Sequence, residues 1–119
     1  MTASYMIIEG SEIMLKQGSI IWVDLNPTKG HEQKGLRPAL VISNDDFNRF
    51  TKLTKVVAIT TSNNGFPLHK QLPDGLQTVG FVEVEQERTL DLSTRKATLI
   101  EMAPTDFVSE IIEMVKEAY

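Results

Sequence analysis

The sequence predicts a small, mainly β fold, a β-barrel with appended helices, from three observations. Short runs rich in β-branched and aromatic residues alternate with short turn-forming segments. One amphipathic helical pattern follows them at the C-terminal end. The 119 residues suit one compact core and leave little room for a second. We therefore expect one domain over residues 17–119, preceded by an N-terminal tail over residues 1–16 that has no sustained period and room for a short strand.

Six segments carry the strand pattern. The first ends at Asn26-Pro27, because proline cannot extend a hydrogen-bonded ladder. The segments are Ile20–Leu25, Pro38–Ser43, Val56–Thr61, Lys70–Leu72, Thr78–Val84 and Ala97–Met102. Between them, Thr28–Leu36 contains two glycines among polar residues, which predicts a mobile loop, and Ser62–Pro67 is rich in turn residues.

Two helices complete the predicted fold. Asn44 is a suitable cap for a short helix that runs through Phe47 and Phe50. Pro104, Thr105 and Asp106 are start signals for the C-terminal helix. Its apolar stripe consists of Phe107, Val108, Ile111, Ile112, Val115 and Ala118.

The composition excludes several classes of protein. The chain has no cysteine, which excludes a disulfide scaffold, a thiolate zinc site and a cysteine nucleophile. No apolar run approaches the roughly 20 residues of a membrane span. The N-terminus lacks the basic start and apolar stretch of a signal peptide. We therefore expect a cytoplasmic protein without a membrane partner.

The charge is unevenly distributed along the chain. The net charge of −4 argues against nucleic-acid binding when it is taken as a whole. Residues 26–70, however, hold seven basic and three acidic residues, a net +4, and the remainder holds five basic and thirteen acidic residues, a net −8. A locally basic half is able to bind phosphates, although solvated faces that merely differ in sign would give the same counts.

The most informative stretch lies around the predicted loop. Arg37 stands where the loop meets a strand, and a guanidinium there is a permanently charged fork suited to phosphate. His31 titrates near neutrality in its unperturbed state, and Glu32 beside it could orient it or act as a base. From the residues alone, an ordinary polar hairpin loop stays an open alternative. The stretch is Gly30-His31-Glu32-Gln33-Lys34-Gly35-Leu36-Arg37-Pro38.

This stretch, within Gly18–Ser43, resembles the opening of the MazF/PemK/Kid toxin family almost residue for residue. The resemblance covers about residues 17–118. It continues in Phe47-Asn48-Arg49, Ile59-Thr60-Thr61-Ser62, Gly65-Phe66-Pro67 and Gln86-Glu87-Arg88-Thr89-Leu90-Asp91. The resemblance implies an SH3-like barrel and a homodimer.

The resemblance also implies a function. By this resemblance the protein is the toxin of a type II toxin–antitoxin system. Its expected activity is that of a sequence-specific, metal-independent endoribonuclease, which cuts single-stranded RNA by attack of the 2′-OH. No cofactor is expected. The implied protein partner is an antitoxin with a disordered acidic segment. Two alternatives stay open: a gyrase-poisoning toxin of the same fold and a catalytically inactive member. The Gly-His-Glu-Gln loop favours the nuclease, because a gyrase binder would not need it.

Site residues follow from the same match. Arg37 and Thr60 correspond to the family's usual catalytic pair, and His31 and Glu32 to its loop residues. We expect RNA contacts from Lys29, Gln33, Thr61, Ser62, Asn63 and Phe66, with Phe66 stacking on a base.

Some residues depart from the family pattern or indicate a structural role. Glu85 replaces the family's usual aspartate, and three carboxylates, Glu83, Glu85 and Glu87, would repel a phosphate backbone if they lined the groove. Trp22 is predicted to be barrel core, and His69 is expected at a solvent-exposed strand start. Two histidines make no recognisable metal set, so no metal is assigned.

Overall fold

The structure, a computed structural model, describes residues 5–8, 11–25, 35–63 and 65–119, with the backbone alone for 5–8 and 11–14. These ranges contain a mainly antiparallel β fold with two α-helices and a single-turn 3-10 helix. The strands are β1 (Tyr5–Ile8), β2 (Ser11–Met14), β3 (Ser19–Asp24), β4 (Leu36–Val41), β5 (Thr54–Thr60), β6 (His69–Gln71), β7 (Phe81–Leu90) and β8 (Ala97–Met102). The helices are α1 (Asp45–Thr51), the 3-10 helix (Leu92–Thr94) and α2 (Thr105–Lys116).

Six of the strands form one antiparallel sheet in the order β6-β7-β5-β4-β3-β8. Within the described ranges no ladder joins β6 to β8, so the sheet is open although its shape is that of a barrel-like fold. The remaining two strands, β1 and β2, pair as a separate hairpin. The predicted mainly β class with a C-terminal helix is confirmed. The division at residue 16 into tail and domain stays a prediction.

Both faces of the sheet are covered, because β3, β4, β5, β7 and β8 direct residues to two hydrophobic clusters, one on each face. In β3, for example, Ile20 belongs to the first cluster, and Ile21 and Val23 belong to the second. The first cluster packs under α2, whose buried residues are Phe107, Val108, Ile111 and Val115. The second lies on the opposite face, and Leu15, Leu25 and Leu92 close it. The apolar stripe predicted for the last helix is therefore its packing face.

The short helix begins and ends as its sequence predicts. The side chain of Asn44 accepts a hydrogen bond of 2.8 Å from the backbone N–H of Phe47, which satisfies one of the donors left open at a helix start. The helix ends where Lys52 takes a left-handed conformation with φ 63° and its N–H bonds the carbonyl of Asn48. The chain then continues directly into β5.

Two sequence predictions need correction. Trp22 is not core: it lies on β3 with 44% of its surface exposed, opposite Pro38 and Thr98. The strand predicted from Thr78 begins at Phe81 instead. The reason is that the carboxylate of Glu101 accepts the backbone N–H groups of Gln77 and Thr78, at 2.9 and 2.7 Å, and so keeps both out of a ladder.

None of the helices in the described ranges is long and apolar enough to cross a membrane.

Candidate active site

Arg37 lies near the start of β4 and Thr60 at the end of β5, on two neighbouring strands. Strands β4 and β5 pair with Ala39 opposite Ala58, and extending this register by two residues brings Arg37 opposite Thr60. Alternate residues share a face, so both side chains project on the face of the second hydrophobic cluster, just beyond its rim. Arg37 is exposed, and its guanidinium makes no hydrogen bond or ion pair with any residue that the structure describes, while its backbone pairs with Val23 in the ladder. The register therefore places the two residues on the same face of neighbouring strands.

The hydroxyl of Thr60 is oriented by its own turn. Its oxygen accepts the backbone N–H of Ser62 at 3.1 Å, which leaves the hydroxyl hydrogen available to an acceptor such as a phosphate oxygen. Gly80, directly before β7, packs against the same residue. A methyl group added there would lie 2.4 Å from the carbonyl oxygen of Thr60, and Gly80 has φ 137°. The backbone of Thr60 is thus fixed by a close contact that only glycine permits.

We call residues 26–34, between β3 and β4, the motif loop. Hydrogen bonds hold the residues on either side of it. The N–H of Leu25 donates to the carbonyl of Gly35 at 3.2 Å, so the chain leaves β3 and enters β4 at neighbouring points. Two guanidiniums hold the end of β3: Arg88 donates to the carbonyl of Leu25 at 2.6 Å, and Arg95 donates to that of Asp24 at 2.8 Å. Arg88 lies in a stretch singled out by the sequence, but this carbonyl-binding role was not predicted.

Four of the predicted site residues belong to that loop and lie outside the described residues: Lys29, His31, Glu32 and Gln33. Four others follow β5. Thr61, Ser62 and Asn63 are exposed directly beyond Thr60, where a strand of nucleic acid is able to reach them. Phe66 is 43% exposed and meets the ring of His69 edge-on, with centroids 5.2 Å apart. Phe66 is therefore partly exposed and packs against the buried ring of His69.

His69 is where sequence reasoning failed. Its side chain is only 7% exposed, not solvated as expected. Nε2 lies 2.9 Å from Oε2 of Glu85 and 3.9 Å from Oε2 of Glu83. We call these three residues the histidine–carboxylate cluster. Residue spacing alone gives no signal for it, because it depends on the register that puts His69 opposite Glu83.

The acidic side of β7 is unsuited to RNA. A cleft of about 420 Å³ between β7 and the end of α2 is lined by Glu85, Glu87 and Glu117 among apolar side chains. Glu87 accepts a hydrogen bond of 2.7 Å from the hydroxyl of Tyr119, and this bond to a carboxylate raises the pKa of Tyr119 above its ordinary value. These carboxylates would repel an anion in the cleft.

Comparison with known proteins identifies the family. Residues 16–119 match the family described as PemK-like, MazF-like toxin of type II toxin–antitoxin systems. Endoribonuclease PemK of Escherichia coli is 36% identical over 103 residues, 82% of this chain and 77% of that protein. Endoribonuclease EndoA of Bacillus subtilis is 34% identical over 109 residues, 86% of this chain and 94% of that protein.

Solved structures of MazF proteins also resemble this chain. The crystal structure of MazF from Deinococcus radiodurans superposes with a TM-score of 0.76 at 33% identity, covering 87% of this chain and 94% of that one. A MazE–MazF complex from the same organism matches with a TM-score of 0.74 at 28% identity, covering 87% and 93%. The chain belongs to the PemK-like, MazF-like toxin family of type II toxin–antitoxin systems. The resemblance stated from the sequence is thereby confirmed, and the gyrase-poisoning alternative is not favoured.

Proposed function

We propose that this chain is a toxin that acts as an endoribonuclease on single-stranded RNA, with Arg37 and Thr60 at the scissile phosphate. The observation that carries the proposal is the juxtaposition of these two side chains on adjacent strand ends, together with relatives named endoribonucleases. A planar guanidinium binds two phosphate oxygens at once, and a hydroxyl beside it adds a third hydrogen bond.

The reaction uses a nucleophile that RNA itself carries. The 2′-oxygen forms a bond to the adjacent phosphorus as its proton passes to a base, and the bond from phosphorus to the 5′-oxygen breaks as that oxygen is protonated. The products are a 2′,3′-cyclic phosphate and a 5′-hydroxyl. Arg37 stabilises the dianionic phosphorane between them, and Thr60 donates to a non-bridging oxygen. No step requires a metal ion.

The proton transfers are assigned to the motif loop. Glu32 or His31 serves as the base, since carboxylate and imidazole groups exchange protons readily near neutral pH. Arg37 is assigned no proton transfer, because a guanidinium with a pKa above about 12 gives up its proton reluctantly. Lys29, Gln33, Thr61, Ser62, Asn63 and Phe66 contact the RNA on either side of the cut. Single strands are the natural substrate, because their bases can be splayed and their 2′-OH aligned for attack.

The proposal includes its partners. Two copies of the chain form a homodimer whose joint groove binds the RNA, and the antitoxin's acidic segment folds into the same groove and blocks Arg37. The support is that related MazF chains are solved as complexes with MazE. A basic surface from residues 26–70 suits both an RNA strand and an acidic peptide. The toxin domain spans residues 17–119 and acts in the cytoplasm.

A cleavage assay on purified protein with EDTA present tests the activity. We expect a single-stranded RNA to be cut at a defined sequence, leaving cyclic phosphate ends, and double-stranded RNA to be spared. Intact RNA with folded wild-type protein would contradict the proposal and leave the protein-binding or inactive alternatives. Mapping the 5′ ends of the fragments would give the cleavage sequence.

A further inference from the structure

The histidine–carboxylate cluster is built into the edge of the sheet by its ladder. Strand β6 pairs with β7 so that His69 faces Glu83, and Glu85 lies two residues further on the same face of β7. Backbone bonds extend this ladder beyond the strand ends, from Val84 to the carbonyl of Leu68 at 3.1 Å and from Leu72 to that of Gly80 at 2.9 Å. The three side chains therefore converge from a rigid support.

We propose that His69, Glu83 and Glu85 bind a divalent transition-metal ion of the Zn²⁺ type. The nitrogen and the two carboxylate oxygens that they offer all lie within 4.8 Å of one another. This site is separate from the proposed cleavage chemistry and does not depend on it.

The distances fit a tetrahedral ion. With metal–ligand bonds of about 2.0–2.1 Å, two ligand atoms at a tetrahedral angle are about 3.3–3.4 Å apart. The observed separations from Nε2 of His69, 2.9 Å to Glu85 and 3.9 Å to Glu83, lie on either side of that value. Moving each carboxylate oxygen by about half an ångström would bring both of these separations to that value, and a water molecule would complete the fourth position.

The electrostatics of the cluster also call for a cation. The side chains of Glu83 and Glu85 are only 18% and 29% exposed. Among the residues that the structure describes, no lysine or arginine nitrogen lies within 4 Å of either carboxylate, and His69 is their shared partner. Two carboxylates and one imidazole carry a net negative charge whether or not the ring is protonated, and a divalent ion would neutralise it.

The other ring nitrogen supplies an independent observation. Nδ1 of His69 is buried and has no hydrogen-bond partner among the described residues, in a side chain that is more than nine-tenths buried. An unpaired buried nitrogen is unfavourable, so the position of the ring is set by Nε2 and not by Nδ1. Nε2 is hydrogen-bonded to Glu85 and faces both carboxylates, and it is the nitrogen that an ion between them would bind.

The donor set selects the kind of ion. One imidazole and two carboxylates suit Zn²⁺ and neighbouring transition metals, whereas Mg²⁺ prefers an all-oxygen, octahedral shell. A bound ion would fasten β6, a three-residue edge strand, to β7. It would also reverse the local charge at a point about 7–8 Å from Thr60, since Phe81 pairs with Thr60 and Glu83 lies two residues beyond it.

Calorimetric titration of the tag-free, EDTA-stripped protein with ZnCl₂ tests the site. We expect one Zn²⁺ per chain, and no heat from Mg²⁺ at the same concentrations. Glu83→Gln and Glu85→Gln keep the side-chain volume and should each weaken Zn²⁺ binding at least about tenfold. The matched control is Glu87→Gln, which removes a carboxylate from the same strand but outside the cluster and should bind Zn²⁺ like the wild type.

A second readout reports the ligand sphere and the fold together. Co²⁺ should give the visible absorption of a tetrahedral site in the wild type and in Glu87→Gln, and lose it in Glu85→Gln. Zn²⁺ should raise the Tm of the wild type and of Glu87→Gln but not that of Glu85→Gln, because an ion that binds only the folded state stabilises it. The proposal is overturned if the wild type takes up no Zn²⁺, or if both cluster variants bind it undiminished, which would assign the ion to another residue such as His31. RNA cleavage in EDTA is scored separately, so a failed metal site leaves the proposed nuclease untouched.

Discussion

The two ends of the central sheet carry opposite chemistry on one face. Near the start of β4, Arg37 is exposed and makes no ion pair with the described part of the chain. One strand further on, the β6–β7 ladder gathers His69 with two carboxylates and no basic residue from that part. The comparison shows why the net charge of −4 is a poor guide to function. The exposed arginine and the acidic residues lie apart on the sheet, with Glu83 about 7–8 Å from Thr60 by the strand register.

Removing the cation at the phosphate-binding end should have the largest effect. Arg37→Ala is expected to lower the RNA cleavage rate about 10²–10³-fold while circular dichroism and Tm stay close to wild type, because the side chain is exposed. Arg37→Lys should rescue little, since a point charge cannot replace the planar fork. Wild-type cleavage by a folded Arg37→Ala protein would show that the chemistry lies elsewhere.

The hydroxyl beside the arginine is the next most sensitive group. Thr60→Ala is expected to slow cleavage roughly 10–100-fold, the value of a hydrogen bond to a charged oxygen. Thr60→Ser keeps the hydroxyl and should retain most of the rate. Thr61→Ala, one residue beyond the strand, is the control and should cost less. A larger loss from Thr61→Ala would mean that the strand register offers Thr61, not Thr60, to the phosphate.

The close contact between Gly80 and the backbone of Thr60 can be tested by substitution. Gly80→Ala would place a methyl group 2.4 Å from the carbonyl of Thr60 and should lower the unfolding free energy by about 1–3 kcal/mol. Gly75→Ala is the matched control: its φ is 96°, but nothing lies within 4 Å of the added methyl group. Denaturant unfolding of both variants separates the clash from the backbone strain. Equal losses would show that the contact with Thr60 does not matter.

The smallest effect concerns the turn that leads into the acidic strand. Burial raises the pKa of Glu101, but hydrogen bonds from Thr78 and Gln77 outweigh it, so the net pKa lies below the ordinary value of 4.5. The carboxylate's contribution to stability is therefore present above pH 4.5 and is lost as the pH falls through the lowered value. Glu101→Gln should be less stable than wild type by about 1 kcal/mol at pH 7, and the difference should shrink in acid. A difference that does not vary with pH would contradict this.

The sequence predicted what depends on local pattern. The strand Ala97–Met102, the cap at Asn44 and the packing face of α2 were all confirmed, because each is set by residues within a few positions of one another. Arg37 and Thr60 were identified through a long motif, and the sheet register then explains why they meet.

Properties that depend on register between distant segments could not be predicted. Trp22 falls on an exposed position of β3, although a large aromatic side chain is usually expected in the core. His69 is buried because β6 pairs with a strand 14 residues later, and nothing in the sequence indicated that the ring would meet Glu83 and Glu85. Arg88 and Arg95 bind carbonyl groups more than 60 residues away, which no spacing rule reveals.

The backbone bond from Leu25 to Gly35 has a consequence for protein engineering. The described strands thus fix where the chain leaves β3 and where it enters β4. We expect variants that lengthen or shorten segment 26–34 to lose little stability, because doubling the length of a loop adds only about 0.6 kcal/mol of closure entropy. We also expect exchange of this segment with that of a relative to leave the strand registers in place. The stability of the sheet and the sequence of the segment would then be open to change independently of each other.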